Sequence, residues 1–385
     1  MRKTGILSSQ SVGAGRFRAF VPHPLPPRPK LKLTADDYDL VERANRALGR
    51  LDGVTTLLPD PSLFIYFYVR REAVLSSQIE GTQSSMSELL LFESDARLGG
   101  QRDDVEEVSC YIKAMNYALH RIREDGFPLS LRLIREAHSL LLAKGRGQQR
   151  GPGEFRRSQN WIGGTRPGNA VYVPPPPDLV VDCMGALEKF LHDDPVRTPV
   201  LAKAGLMHVQ FESIHPFLDG NGRMGRLLIT LLLCAEDVLR EPLLYLSLFF
   251  KQNRDEYYRR LQAVRDSGDW EGWMRFFLTG VYETAQQAVA MSRAILRLFD
   301  QDRRKIEAAG KAPGSALQVH QVFQRHPILT IREATDVLPM TFPTVAAAVR
   351  TMQELGMLKE MTGRQRRRLF GYAPYLAILG EGTEP

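Results

Sequence analysis

The 385-residue chain is 43% hydrophobic and 25% charged, with 51 Lys and Arg against 44 Asp and Glu, a net charge of +7 and a pI near 9.3. That balance excludes a disordered chain and leaves apolar residues for two or three folded domains. Three widely spaced cysteines, Cys110, Cys183 and Cys234, match neither a disulfide scaffold nor a metal site, and no apolar run has signal-peptide or membrane-spanning character. The expected setting is therefore the cytoplasm, with no membrane partner. The excess positive charge is not gathered in one block, so it suits an enzyme that binds an anionic nucleotide at least as well as a nucleic-acid binder.

Residues 1–30 contain Gly and Ser and then a proline-rich run from Pro22 to Pro29, and read as an extended N-terminal arm. Residues 31–125 carry helical periodicity. Within them the apolar stretch 63–75 is long enough for a helix and leads into Ser76-Ser77-Gln78-Ile79-Glu80-Gly81. Gly81 is the expected C-terminal cap, and Ser85 with Glu88 has the spacing of a capping box for the next helix. Glu80 then stands at a helix C-terminus, where the dipole disfavours a carboxylate by about 0.3–1 kcal/mol. A local rule broken in this way can mark a functional site, although a solvated surface glutamate is the commoner reason.

Residues 126–295 read as a helical core. Near its start, residues 155–165 and 170–174 suggest a short hairpin with a Gly/Pro-containing tip that includes Ile162, Gly163, Gly164 and Thr165. The prolines 174–177 make a stiff tether before a helix that begins near Leu179. The densest chemistry lies in residues 215–226, His-Pro-Phe-Leu-Asp-Gly-Asn-Gly-Arg-Met-Gly-Arg. His215 can take a proton from an attacking hydroxyl, and Asp219 can hold Mg²⁺. The turn Gly220-Asn221-Gly222 lets backbone N–H groups approach phosphate oxygens at the head of a helix, where the dipole favours anions. Arg223 and Arg226, three apart, share a helix face and can fork onto phosphates. Phe217 reads as an anchor that turns the loop into the core. A turn alone would explain any one of these residues, but not the whole set. Residues 227–235 continue as a buried apolar helix. Further on, the adjacent Tyr257 and Tyr258 cannot both face the core of one helix.

Residues 296–314 turn charged and then Ala/Gly/Pro-rich and read as a linker. Residues 315–385 suggest a winged helix: helices near 317–323, 331–337 and 342–355, a stop at Gly356, and a hairpin turning at Thr362-Gly363. The wing carries Arg364, Arg366, Arg367 and Arg368. The third helix, however, offers only Arg350 and Gln353 as base readers, so nucleic acid is a weakly supported partner.

The 215–226 motif resembles the signature of the Fic-domain family, His-x-Phe-x-Asp/Glu-Gly-Asn-Gly-Arg-x-x-Arg, at every specified position. His208, Gln210, Phe211, Glu212 and Ile214 also look like the helix that leads into that signature, and the similarity runs from about Arg43 to the C-terminus. The resemblance implies a mostly α-helical Fic-type bundle with a β-hairpin flap and an activity that moves AMP from ATP to a Ser, Thr or Tyr hydroxyl of a target protein, with Mg²⁺ as cofactor. His215 would be the base and Asp219 the metal ligand. The segment from Gly220 through Asn221, Gly222, Arg223, Met224 and Gly225 to Arg226 would hold the phosphates. Ile162, Gly163, Gly164 and Thr165 would approach the nucleotide from the flap, which would also register the target. Tyr257 and Tyr258 would lie by the adenine and ribose, where Arg265 departs from the asparagine that relatives can carry. Ser76, Glu80 and Gly81 fit the family's inhibitory motif Ser/Thr-x-x-x-Glu-Gly/Asn, which implies that Glu80 pairs with Arg226 and denies it to the γ-phosphate. Transfer of another phosphate-containing group, removal of AMP, a DNA-binding regulator and assembly into a homodimer stay open at this point.

Overall fold

The computed structural model describes residues 2–12, 15–57, 61–94, 102–309 and 313–384. The chain opens with β1 (Gly5–Val12) and β2 (Gly15–Pro22), an antiparallel pair in the register Leu7↔Phe20, Ser9↔Arg18, Ser11↔Arg16. This corrects the expectation of an extended arm. The polar Ser-Ser-Gln-Ser run hides the strand from a hydrophobicity pattern, and docking elsewhere holds it: Phe20 N–H donates to the Val173 carbonyl, and the Thr4 hydroxyl donates to that of Val264.

Helices α1 (Ala35–Leu57), α2 (Pro61–Ile79), α3 (Met86–Ser94), α4 (Arg102–Arg123) and α5 (Leu131–Leu141) come after the hairpin. Next come α6 (Val180–Leu191), α7 (Val200–Ile214), α8 (Asn221–Ala235), α9 (Ser247–Gln252), α10 (Arg254–Ser267) and α11 (Trp270–Ala308). The fold is mostly helical. The centre is the α7–α8 pair, buried on nearly every side because both helices are apolar almost all round. Helices α2, α4 and α5 cover α8, while α6, α10 and α11 cover α7. Gly225 lets the pair approach closely, since a Cβ there would stand 2.7 Å from Glu212 Oε1.

The expected linker at 296–314 is corrected for most of its length. Helix α11 continues to Ala308. Its polar surface is laced by Arg304–Asp300 and Arg303–Glu307 pairs four residues apart, while Ile306 and Asp302 are buried against the C-terminal unit. Asp302 accepts a hydrogen bond from the Tyr372 hydroxyl at 2.7 Å.

That unit is α12 (Pro313–Arg325), β3 (Ile328–Thr330), α13 (Ile331–Asp336), α14 (Phe342–Glu354), β4 (Leu358–Glu360), β5 (Leu369–Tyr372) and α15 (Ala373–Gly380), with strand order β3-β5-β4. Thr330 and Glu333 form a capping box at the head of α13. Strand β3 and helix α15 have no counterpart in the sequence reading. Tyr375 of α15 meets Phe67 of α2 edge-on at 5.3 Å, so this last unit packs against the helix that ends just before Glu80. No helix among the described residues is long and apolar enough to cross a membrane.

Candidate active site

His215 terminates α7 in the left-handed region (φ 49), a conformation that a non-glycine residue adopts only when its surroundings enforce it. The Arg156 guanidinium supplies that enforcement by donating to the His215 carbonyl at 2.9 Å and to the Pro175 carbonyl at 2.5 Å. Phe217 is fully buried and stacks on the His138 ring at 3.6 Å between centroids. His138 Nδ1 accepts from Gly153 N–H at 2.9 Å, which assigns the proton to Nε2, the atom that faces the Asp219 carbonyl at 3.0 Å. Asn221 closes the loop with two bonds: Phe217 N–H donates to its Oδ1 (2.9 Å), and its Nδ2 donates to the Phe217 carbonyl (2.8 Å). Its side chain is thus a clamp on the loop. Gly220 begins α8 at φ 73, and the first intrahelical bond runs from Met224 N–H to Gly220 C=O. The N–H groups of Asn221, Gly222 and Arg223 are consequently the orphan donors of the first turn.

Arg226 is buried and meets α2. Its Nε donates to Ser76 Oγ and its Nη2 to the Ser76 carbonyl, both at 2.9 Å, while Nη2 also donates to Glu80 Oε1 at 2.7 Å. A Cβ on Gly222 would collide with Glu80 Oε1, so the carboxylate lies directly against the first turn of α8. Burial pushes the Glu80 carboxyl up, but the Arg226 guanidinium outweighs it and the net shift is downward. The cost of an acid at a helix C-terminus is thereby offset. Gly81, at φ 95, reverses the chain immediately afterwards.

Arg223 turns the other way. Its Nη1 is 3.5 Å from Glu107 Oε2 and its Nη2 is 3.6 Å from Asp219 Oδ1. Glu107, 1% exposed, also accepts from Arg146 N–H (2.8 Å), Arg146 Nε (2.9 Å) and the Thr82 hydroxyl (3.3 Å). One buried carboxylate thus joins a motif arginine, the 145–153 loop and the turn after Glu80. Asp219 Oδ1 accepts from Gly220 N–H at 2.5 Å and the side chain stays partly open to solvent. No group of three or more His, Cys, Asp or Glu that could hold a metal is present among the described residues. Asp219 alone fits Mg²⁺, which commonly takes one or two carboxylates and completes its shell with phosphates and water.

Burial, aided by the Arg265 and Arg156 charges, lowers the His215 pKa to about 4, so the imidazole is neutral near pH 7. Its Nδ1 is 3.9 Å from Glu212 Oε2 and has no hydrogen-bond partner among the described residues. Glu212 itself is pushed up to about 7 by burial. The expected flap is less regular than two strands. Ile162 and Tyr172 exchange both backbone hydrogen bonds as an isolated bridge, the tip is a 3-10 turn at Pro167–Asn169, and Gly163, Gly164 and Thr165 are exposed. Tyr257 is core: its hydroxyl is 2.8 Å from His208 Nε2, and only Tyr258 reaches solvent. Met224 is likewise fully buried, so only its backbone faces the phosphate side of the segment.

Sequence reasoning missed His138, Arg156, Asn160 and Glu107. Asn160 Nδ2 donates to the Phe217 carbonyl at 2.9 Å, beside Arg156. The run Gly-Pro-Gly-Glu-Phe-Arg-Arg before the flap was the available signal for Arg156, because two glycines at positive φ set that loop's course. Nothing local marks Glu107 on α4.

The fold is similar to that of a Fic family protein from Desulfovibrio desulfuricans G20 (TM-score 0.58, 22% identity, 90% of this chain and 98% of that one). It is also similar to that of Fic-1 from C. elegans (TM-score 0.53, 19% identity, 68% and 74%). The class is therefore a Fic-type helical fold. Residues 38–120 match the Fic/DOC family N-terminal model and residues 128–233 match the Fic/DOC family model. It is 36% identical over 126 residues to a protein adenylyltransferase Fic of Drosophila erecta, and 32% identical over 206 residues to that of Aedes aegypti. These alignments cover 32% and 51% of this chain, and 22% and 37% of those relatives' lengths.

Proposed function

We propose that the chain is a protein adenylyltransferase held off by its own Glu80. The observation that carries the reading is the Glu80–Arg226 pair pressed against the first turn of α8, a few residues from a neutral histidine whose Nδ1 has no hydrogen-bond partner among the described residues. The helix head offers orphan N–H donors, a favourable dipole and two arginines, all suited to a polyphosphate, and a carboxylate now stands where an anion would lie. In the active form the target hydroxyl oxygen attacks the α-phosphorus of ATP and its proton passes to His215. The bond from that phosphorus to the bridging oxygen breaks, and pyrophosphate leaves. General-base action of this kind contributes about 10²–10⁴-fold. The N–H groups at the head of α8, with Arg223 and Arg226, stabilise the charge that develops on the phosphates. Mg²⁺ would be held by Asp219 and would supply neutralisation of phosphate charge. The flap segment 170–174 would align the target segment, residues 315–385 would act as a winged-helix module, and the protein would work in the cytoplasm.

The test is auto-modification with ATP labelled at the α-phosphate. Label should be faint in wild type, strong in Glu80→Gly and lost in Glu80→Gly/His215→Ala. Failure of Glu80→Gly to take label while binding ATP would defeat AMP transfer to itself as the activity, and wild type labelling as strongly as Glu80→Gly would defeat the inhibitory role.

A further inference from the structure

A cleft of about 1120 Å³ opens between the β1–β2 hairpin, the 170–173 segment and α10. Lys3, Arg16, Arg18 and Arg265 line it, and none of them has a carboxylate partner among the described residues. Arg2 is already paired with Glu271 at 2.9 Å, and the cleft's lone acid, Asp266, accepts from Gln262. Arg265 is fixed in place by the Glu212 carbonyl at 3.0 Å and lies over the Tyr172 ring at 3.8 Å. The β1–β2 register puts Leu7, Ser9, Arg16, Arg18 and Phe20 on one face, and alternate residues of a strand stand about 7 Å apart. That is the spacing of alternate side chains on an extended peptide. Leu7, 56% exposed, and Val171, 72% exposed, add apolar contact at the same place. Phe20 and Tyr172 pair with each other at 6.1 Å, so their faces do not stand free to stack bases.

We propose that this cleft binds an extended acidic polypeptide segment. The proposal names a class of target for the transferase and rests on that reading only for its link to transfer. The test is fluorescence anisotropy of a labelled, glutamate-rich peptide with the full chain and no nucleotide, so it does not depend on AMP transfer. The peptide should bind, more weakly as salt rises, and Arg16→Glu/Arg18→Glu should weaken it about tenfold or more at an unchanged melting temperature. Equal binding by wild type and the variant overturns the proposal. So does a single-stranded DNA oligomer of equal charge that binds more tightly than the peptide and is lost in the same variant.

A second set of contacts carries an independent inference. Arg71 of α2, 5% exposed, donates to the carbonyls of Leu379 (3.0 Å) and Glu381. Gln78, two residues before Glu80, donates to the Thr383 carbonyl at 2.8 Å. Lys251 of α9 bridges the Gln78 side chain (2.8 Å) and the Glu384 carbonyl. Thr383 is buried. The geometry points to residues 379–384 as a latch that holds the end of α2, and with it Glu80, over α8. Gln78→Ala removes the latch contact nearest Glu80 without stranding a buried charge, and a chain ending at Gly380 removes most of the rest. Both should speed amide exchange across residues 76–82 and tighten ATP binding toward that of Glu80→Gly. Unchanged exchange in both variants overturns the latch. An unchanged affinity in Glu80→Gly itself, with exchange faster in the latch variants, would fault the inhibitory reading and leave the latch standing.

Discussion

Replacing Glu80 by Gln keeps the side chain's shape and removes its charge. In the wild type the Glu80 carboxylate accepts a 2.7 Å bond from Arg226, which also donates to Ser76 Oγ and C=O. Arg226 therefore keeps two partners when Glu80 is neutralised and is not stranded as a bare buried cation. The lost interaction is that of one charge-assisted hydrogen bond, about 1.5–3 kcal/mol before solvent screening. The Glu80 side chain is 36% exposed, so the lower half of that range applies, roughly 2 kcal/mol. A nucleotide whose phosphates need Arg226 must first break this pair, so its affinity is reduced by the corresponding factor, about 30-fold. Calorimetric titration of ATP with Mg²⁺, in a His215→Ala background that prevents turnover, should show Glu80→Gln binding about 30-fold more tightly. Pyrophosphate should gain similarly, whereas adenosine, which lacks phosphates, should not. Equal ATP affinities within about twofold would refute the argument that the pair competes with the phosphates. A comparable gain for adenosine would show that Glu80 acts by closing the cleft rather than by holding Arg226.

His215→Ala in the Glu80→Gln background should lower transfer by about 10²–10⁴-fold while ATP affinity stays the same, as single-turnover labelling beside titration would show. Because burial and the neighbouring arginines bring His215 to about 4, the imidazole is deprotonated throughout the physiological range. The acid limb of kcat/KM for Glu80→Gln should accordingly fall below about pH 5, and a midpoint near the ordinary 6.5 would refute the burial argument. Glu107→Ala leaves the buried Arg223 cation with Asp219, 3.6 Å away, as its remaining carboxylate, and should cost about 1–3 kcal/mol, read by denaturant melts; a loss under about 0.5 kcal/mol would place Glu107 outside the network. Burial raises Glu72 to about 7, so the fold favours its protonated form. That stabilisation is complete below the ordinary 4.5 and lost as the pH rises through 7. Between pH 5 and pH 8 the wild type should lose about 2.5 kcal/mol relative to Glu72→Gln, and parallel stability curves would count against it.

What sequence reading reached in this chain was what lies contiguous along it. His215 through Arg226 is one loop and one helix turn, so spacing alone conveyed which groups share a face, and the Ser76–Gly81 turn was legible from its glycine cap. What it missed lies in partners that only the fold brings together. Glu107 is 116 residues from Arg223, and His138 is 81 from Asp219, with no local rule broken at either position. The 296–308 stretch misled for a related reason: its Arg and Asp residues look like a solvated linker, yet they pair at helical spacing while Asp302 and Ile306 turn inward to β5 and its surroundings. The β1–β2 hairpin shows the same limit from the other side. Its first strand, with the polar Ser-Ser-Gln-Ser run, has too little apolar alternation to announce itself, and Thr4, Phe20 and His23 dock on α10, the flap and α7 instead. The segments whose structure depends on long-range partners are thus the ones that wrap the motif, at the hairpin, the flap and the C-terminal unit.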